Sequence, residues 1–179
     1  MTRVILAPIN FDNYELLNEI ISDLNEISKF EFEISPLNID IKEAYSAERG
    51  QYNSTQILRI MIENFREESC KVVGIVKYDL FIPVLTYVFG EAQLDGKFSI
   101  ISIFRLHEEF YSGKSDNNLL KQRTIKEILH ELGHTFGLIH CKDWDCVMHS
   151  SSSIEEVDIK GKNYCFNCRQ KIEEKLRYY

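Results

Sequence analysis

The sequence predicts one α/β (α+β) domain, a mixed twisted sheet with crossover helices that leads into a small C-terminal lobe of different character. Three observations carry that prediction. Apolar runs of strand length alternate with runs at helical spacing from residue 3 to residue 78. Asp95-Gly96 then gives a strong hairpin signal between two further strand-like runs. Beyond Gly137 the chain turns to short turns, serines and four cysteines. With 179 residues, 44% hydrophobic and 27% charged, it is long enough for one real core and ordinary for a globular protein.

RVILAPI (3–9) is a short β-branched run ending near Pro8, a first strand. Asn13 or Asp12 can cap a helix to about Ser28, because Leu16, Leu17, Ile20, Ile21, Leu24 and Ile27 recur at helical spacing. FEFEISPLNI (30–39) alternates apolar and polar residues, the period of a half-buried strand. Ser54 precedes a second helical pattern through Ile57, Ile60, Met61 and Phe65, and CKVVGIVKY (70–78) fits a buried central strand. VFGEAQLDGKFSIISIFRL (88–106) holds the two arms of the hairpin, and VFGEAQ (88–93) is expected at a sheet edge. This order implies a mixed sheet whose parallel strands are joined by helices. Leu120, Ile125, Ile128, Leu129, Leu132 and Phe136 mark a further helix, stopped by Gly137. SSSS (150–153) is a loop, and RQKIEEKLRYY (169–179) fits a terminal helix. Without repeats or a low-complexity linker, residues 1–179 read as one domain, with an N-terminal subdomain (1–137), a C-terminal subdomain (138–179) and a cleft between them.

A net charge of −7 argues against nucleic acid or an anionic membrane as a main partner, since both need clustered Lys and Arg. The first residues lack the long apolar stretch of a secretory signal, and no segment nears the ~18 apolar residues of a membrane span. The expected compartment is therefore the cytoplasm, which is reducing. There, Cys70, Cys141, Cys146, Cys165 and Cys168 are better metal ligands than disulfide partners. The sequon Asn53-Ser54-Thr55 has meaning only in a secreted protein.

HELGHTFGLIH (130–140) is the chemical centre of the sequence. On a helix His130 and His134 lie one turn apart and project from the same face, so two neutral imidazoles can share one zinc ion. Glu131 is rotated about 100° round the axis and is free to act as a base. Gly137 can adopt left-handed dihedrals, end the helix and turn the chain so that His140 arrives as a third ligand. Three protein ligands leave a fourth tetrahedral position for water. A bare H-E-x-x-H occurs by chance, but the glycine and third histidine in register make the longer pattern far more specific. His107 and His149 lie outside it and read as surface or hydrogen-bonded structural histidines.

Cys141-x4-Cys146 and Cys165-x2-Cys168 form two ligand pairs with the spacing of a four-thiolate zinc site. Cys70 is left as a small buried hydrophobe. His140 and Cys141 would face opposite sides of an extended segment, one toward each ion. The expected cofactor is thus two Zn2+ per chain, one catalytic and one structural, the second stapling a lobe too small and polar to hold itself rigid.

These residues resemble the metzincin clan of zinc peptidases and, within it, the archaemetzincins. HELGHTFGLIH matches the clan's zinc-binding consensus, and Met148 looks like its Met-turn methionine, a hydrophobic floor under the metal. HELGHTFGLIHCKDWDCVMH followed by CFNC, with Cys-x-Met before the CxxC, is similar to the archaemetzincin pattern. DLFIPVLTYVFGEA (79–92) and SIISIFRL (99–106) also look like the family, less specifically; most of residues 70–170 is covered. The resemblance implies a zincin-like fold, a mixed twisted sheet and two helices above the cleft and a zinc-stapled lobe below. Several metzincins carry a tyrosine two residues after the Met-turn methionine, where this chain has Ser150, and no pro-segment is expected.

The leading reading is a zinc-dependent metallopeptidase with ligands His130, His134 and His140, general base Glu131 and a peptide or protein substrate. The alternative is a zinc-stabilised peptide-binding module with little turnover. A nucleic-acid-binding zinc ribbon would rest on the cysteine pairs alone, against the acidic charge. For the substrate, the edge strand around Gly90 and Glu91 is expected to pair with an extended peptide. Gly90 would allow close approach, and Glu91 would offer a negative charge to a basic residue near the scissile bond.

Overall fold

In the computed structural model, which describes residues 2–67 and 69–177, the first apolar run becomes β1 (Thr2–Pro8). Val4 and Leu6 enter one core and Ile5 and Ala7 another, so the strand is covered on both faces. That double burial is why its sequence is a continuous apolar run and not an alternation. α1 (Tyr14–Ile27) starts at Asn13, whose side chain accepts from the Leu16 N–H at 3.1 Å. It buries Leu16, Leu17, Ile20 and Leu24 and returns the chain to β2 (Phe30–Ile34), parallel to β1.

The strand expected over 30–39 leaves the regular ladder after Ile34. Pro36 has no N–H to donate, yet the chain still follows its neighbour, with Ser35 N–H bonded to Leu6 O (3.0 Å) and Leu37 N–H to Pro8 O (3.1 Å). A small sheet absent from the sequence reading comes next, from β3 (Tyr45–Ser46), β4 (Gln51–Asn53) and, after α2 (Ser54–Asn64) and β5 (Lys71–Val76), β6 (Leu80–Phe81). Its strands of two or three residues are too short to give a period. Asn53 caps α2 by accepting from Gln56 N–H at 3.1 Å.

The hairpin forms as β7 (Gly90–Ala92) and β8 (Phe98–Ser102), with Asp95 at φ 55 in the turn. The main sheet has the order β2-β1-β5-β8-β7, parallel except for β7, which lies at the edge and runs antiparallel to β8. The arm expected over 88–93 is shorter, because Val88 bridges instead to Leu80 in the small sheet. After the short α3 (Glu109–Ser112), α4 (Asn117–Thr135) packs with α1 on one face of the sheet, while α2 covers the other. The core on the α1/α4 face continues without a break into residues of the C-terminal lobe: Cys146, Val147, Met148, Ile154, Val157 and Ile172. α5 (Ile154–Ile159) and α6 (Phe166–Leu176) complete that lobe. The terminal helix expected over 169–179 thus starts earlier; Tyr178 and Tyr179 lie outside the described residues.

Sheet and α4 are joined where α4 ends. Lys71, 4% exposed at the start of β5, donates to Thr135 O (2.9 Å) and Gly96 O (2.7 Å) and lies 4.6 Å from the Phe136 ring centroid. A cation at a helix C-terminus satisfies carbonyls that have no partner within the helix. From the hairpin tip, Asp95 N–H donates to His134 O at 2.9 Å. Burial pulls the Lys71 ammonium down to about 8, against 10.5 for the free side chain, with Asp95 opposing the fall. A lowered lysine pKa means that between those two values the unfolded chain holds a proton the folded chain has released. Stability from this group therefore rises with pH across that window, and burial of the charge costs most below it. Relative to Lys71→Met, the parent should gain roughly 2–3 kcal/mol between pH 7.5 and 10.5. Urea midpoints of both proteins at the two pH values measure this, and parallel pH dependence would refute it.

Candidate metal centres

α4 is built for side chains at its C-terminal end. Asp116 caps its start, accepting from Leu119 N–H at 2.9 Å. Its end is a Schellman turn, with Gly137 N–H on His134 O (2.8 Å) and Leu138 N–H on Gly133 O (3.1 Å). Gly137 has φ 82, the left-handed conformation that glycine adopts at least cost. The reversal carries His140 back to His130 and His134; their ring centroids are 4.8, 5.1 and 5.3 Å apart, and one nitrogen from each lies within 4.8 Å of the others.

Two main-chain carbonyls set the state of the first two rings. His130 Nδ1 is 2.8 Å from Val147 O and His134 Nδ1 is 2.7 Å from Leu138 O. A carbonyl oxygen only accepts, so both Nδ1 atoms carry the hydrogen. Burial lowers the pKa of His130, well below its ordinary value, and of His134 and His140, which keeps the rings neutral. Neutral rings protonated at Nδ1 present bare lone pairs at Nε2, and those of His130 and His134 face each other at 3.2 Å. Without a cation between them that contact is repulsive. Tetrahedral zinc with Zn–N near 2.0–2.1 Å would set two nitrogens about 3.3 Å apart, so the donors fit the ion.

Glu131, 5% exposed, lies under the edge strand. A Cβ at position 90 would fall 2.6 Å from Glu131 Cγ, 2.7 Å from its Oε1 and 2.8 Å from Ile100 O, so only glycine lets β7 come this close. Burial, then the neighbouring Glu127, pushes the Glu131 carboxyl well above its usual range, while Lys160 opposes. Below α4, Met148 is fully buried, and a Cβ at Gly133 would meet its Sδ at 2.4 Å. The glycine inside the H-E-x-x-H run is thus the space that Met148 occupies.

The four cysteine sulfurs lie within 4.8 Å of one another, and Cys141, Cys146, Cys165 and Cys168 are all free thiols. Cys141 Sγ and Cys165 Sγ are 3.9 Å apart, against about 3.8 Å for two sulfurs on tetrahedral zinc with Zn–S near 2.3 Å. Cys165 N–H also donates to Cys146 Sγ (3.3 Å), the kind of backbone bond that holds a thiolate. Cys141 pairs with the Met148 segment through its N–H to Met148 O at 2.9 Å. The segment that brings His140 to one cluster therefore brings Cys141 to the other.

Sequence reasoning missed the groups that fasten this lobe to α4. Lys160, 2% exposed, donates to Glu127 Oε1 at 2.8 Å. Tyr164 OH donates to Leu129 O (2.5 Å), and Lys126 Nζ to Val157 O and Asp158 O (both 2.8 Å). Arg123 grips Asp158 through two bonds of 2.7 Å. No pattern marks such residues; a lysine bound for burial looks in sequence like one bound for water. His149 stays outside the histidine cluster, stacked on Trp144 with centroids 3.7 Å apart. Half-buried His107 is likewise remote, its pKa lowered by burial.

Glu91 lines the cleft, but its carboxylate accepts from Ser54 Oγ (2.5 Å) and Thr55 Oγ1 (2.8 and 3.0 Å) at the start of α2. Alternation along β7 turns Gly90 toward Glu131 and the next side chain toward α2. Glu91 is therefore a brace between edge strand and helix. The cleft itself measures about 730 Å³, with Tyr87, Phe89, Gly90, Leu94, Ile139 and Ser150–Ser152 around the three histidines and Glu131.

The family model of peptidase family M54 matches residues 5–174. The archaemetzincin of Methanocaldococcus jannaschii is 39% identical over 179 residues, covering 98% of this chain and 96% of that one. The crystal structure of archaemetzincin from Methanopyrus kandleri superposes with a TM-score of 0.85 at 31% identity, covering 98% and 96% of the two chains. A zinc-dependent peptidase from Methanocorpusculum labreanum gives 0.83 at 26% identity over 94% and 99%.

Gly133→Ala tests the close packing on Met148. Alanine favours a helix interior over glycine by about 1 kcal/mol, while overpacking a filled core costs about 1–3 kcal/mol. The second effect should win, with a net loss near 1 kcal/mol in the urea midpoint. A stabilised variant would show that Met148 yields its place freely.

Proposed function

We infer, from the premise that this chain belongs to peptidase family M54 and is a zinc-dependent metallopeptidase, that His130, His134 and His140 hold the catalytic ion and Glu131 is the general base. The observation that carries the assignment is the pair of Nε2 lone pairs facing each other at 3.2 Å. Zinc bound there supplies a Lewis acid, which lowers the pKa of a water to about 7 in well-studied enzymes and polarises the carbonyl under attack. Glu131 accepts the proton of the attacking water on its carboxylate and hands it to the leaving amine. Its burial raises its proton affinity, which suits a group that must both take and return a proton near neutral pH. His130 and His134 keep their lone pairs aimed because Val147 O and Leu138 O hold the opposite nitrogens. Met148 is the floor beneath them, as in the metzincin clan.

Cys141, Cys146, Cys165 and Cys168 hold a second, structural zinc, giving two ions per chain. Residues 1–137 and 138–179 act as two subdomains of one domain, with the cleft between them. Cysteines committed to a metal and not to disulfides fit a reducing compartment, which supports a cytoplasmic location. Among the described residues no helix is long and apolar enough to cross a membrane. The substrate is a peptide or protein that adds to the free edge of β7 as a further strand, with Gly90 allowing its backbone close to Glu131 and Glu91 fixing that edge to α2.

Glu131→Ala should keep both zinc ions and the fold while peptide hydrolysis falls by at least ~100-fold, the usual worth of a positioned acid–base group. Equal cleavage by parent and variant would assign the activity elsewhere. In chelator titrations the three-histidine ion should leave first and the four-thiolate ion last. Cys165→Ser should lower the melting temperature and also the occupancy of the histidine site, because losing a thiolate frees the segment that carries His140. Full histidine-site occupancy at an unchanged melting temperature would break that coupling.

A further inference from the structure

The two ends of the cleft are built differently. At one end Leu94 and Ile139 line it and stand 61% and 67% exposed. At the other, Tyr87 on the upper rim donates its hydroxyl to Ser152 O on the lower rim at 2.7 Å. The tyrosine is not a loose surface group. Its ring meets Phe89 edge-on, with centroids 5.4 Å apart, and carries the Arg105 guanidinium 4.1 Å from its centroid. Arg105 is in turn fixed by two 2.7 Å bonds to Asp79. Next to the bridge, Ser151 Oγ is buried and has no hydrogen-bond partner among the described residues, although Ser151 lines the cleft.

Resting on the metallopeptidase reading, we propose that the Tyr87–Ser152 bridge closes one end of the substrate cleft and makes Tyr87 a specificity-determining residue that biases cleavage toward one terminus of the peptide. Tyr87 lies three residues before Gly90, the residue against Glu131. At about 3.3 Å per extended residue, the three-residue step from Gly90 to Tyr87 spans at most about 10 Å, room for no more than about three substrate residues. A chain that ends within that span fits with the bridge intact. A longer chain must break the bridge to pass. On the Leu94/Ile139 side the peptide runs out over apolar side chains without limit.

The test is digestion of a mixed-length peptide library by zinc-loaded full-length protein, with every cut position mapped by mass spectrometry. The parent should cut within about three residues of one and the same terminus. Tyr87→Phe, which keeps the ring, should raise the share of cuts farther from that terminus roughly fivefold, the scale of one net hydrogen bond. Tyr87→Ala, which also removes the ring, should raise it further. Predominantly interior cuts by the parent, or the same cut positions in parent and both variants, would overturn the proposal. Absence of any cleavage would instead count against the peptidase reading. The bridge is then tested by binding, using a long peptide blocked at both ends and zinc-loaded Glu131→Ala protein with or without Tyr87→Phe. Roughly fivefold tighter binding with Tyr87→Phe supports the bridge, and equal affinity overturns it.

Discussion

Two imidazole nitrogens face each other across 3.2 Å because each ring has its other nitrogen committed to a backbone carbonyl. Much of the molecule serves to hold the two rings in that arrangement. One of the carbonyls, Leu138 O, is supplied by the helix's own reversal at Gly137, so it is local to the motif. The other, Val147 O, comes from the C-terminal lobe. The histidine site therefore exists only if the lobe is docked in register against α4.

Docking in register is what the buried polar contacts along α4 accomplish. From one end to the other, Arg123, Lys126, Glu127 and the Leu129 carbonyl each bind a group of the lobe, and His130 comes next. A purely apolar interface would tolerate small slides, since dispersion and hydrophobic burial are not directional. Directional bonds do not. Truncating one member of a buried charge pair such as Lys160–Glu127 leaves the other without compensation, and such losses typically cost about 3–5 kcal/mol. The metal proposed at the four-cysteine cluster would add a staple to the same lobe.

On the upper side, precision comes from the sheet. β7 approaches Glu131 so closely that no side chain fits at position 90, and the same strand is braced to α2 through Glu91. Lys71 and the hairpin tip hold the carbonyl end of α4. The cleft is thus bounded by an edge strand and a helix whose separation is fixed from three directions, and by a lower lobe fixed to the same helix. Leu94 and Ile139, by contrast, line the cleft with their side chains exposed.

What the sequence by itself determined was whatever depends on neighbours along the chain. The two candidate ligand clusters follow from one helical turn between His130 and His134, a left-handed Gly137 and paired cysteines, all properties of short segments. The central strands were legible because burial on both faces demands unbroken apolar runs, and Asn13 and Asp116 act as caps within three residues of the N–H groups they bind. Only the tertiary structure decided that Glu91 turns to α2, that Lys160 is buried against Glu127, that Lys71 reaches Thr135 and that Tyr87 crosses to Ser152. The last two join residues 64 and 65 positions apart. A charged or hydroxyl side chain carries no local sign of such a partner. Its sequence neighbours fix which way the backbone runs, but only the packing of distant elements determines whether it meets water, a carbonyl or a counter-charge.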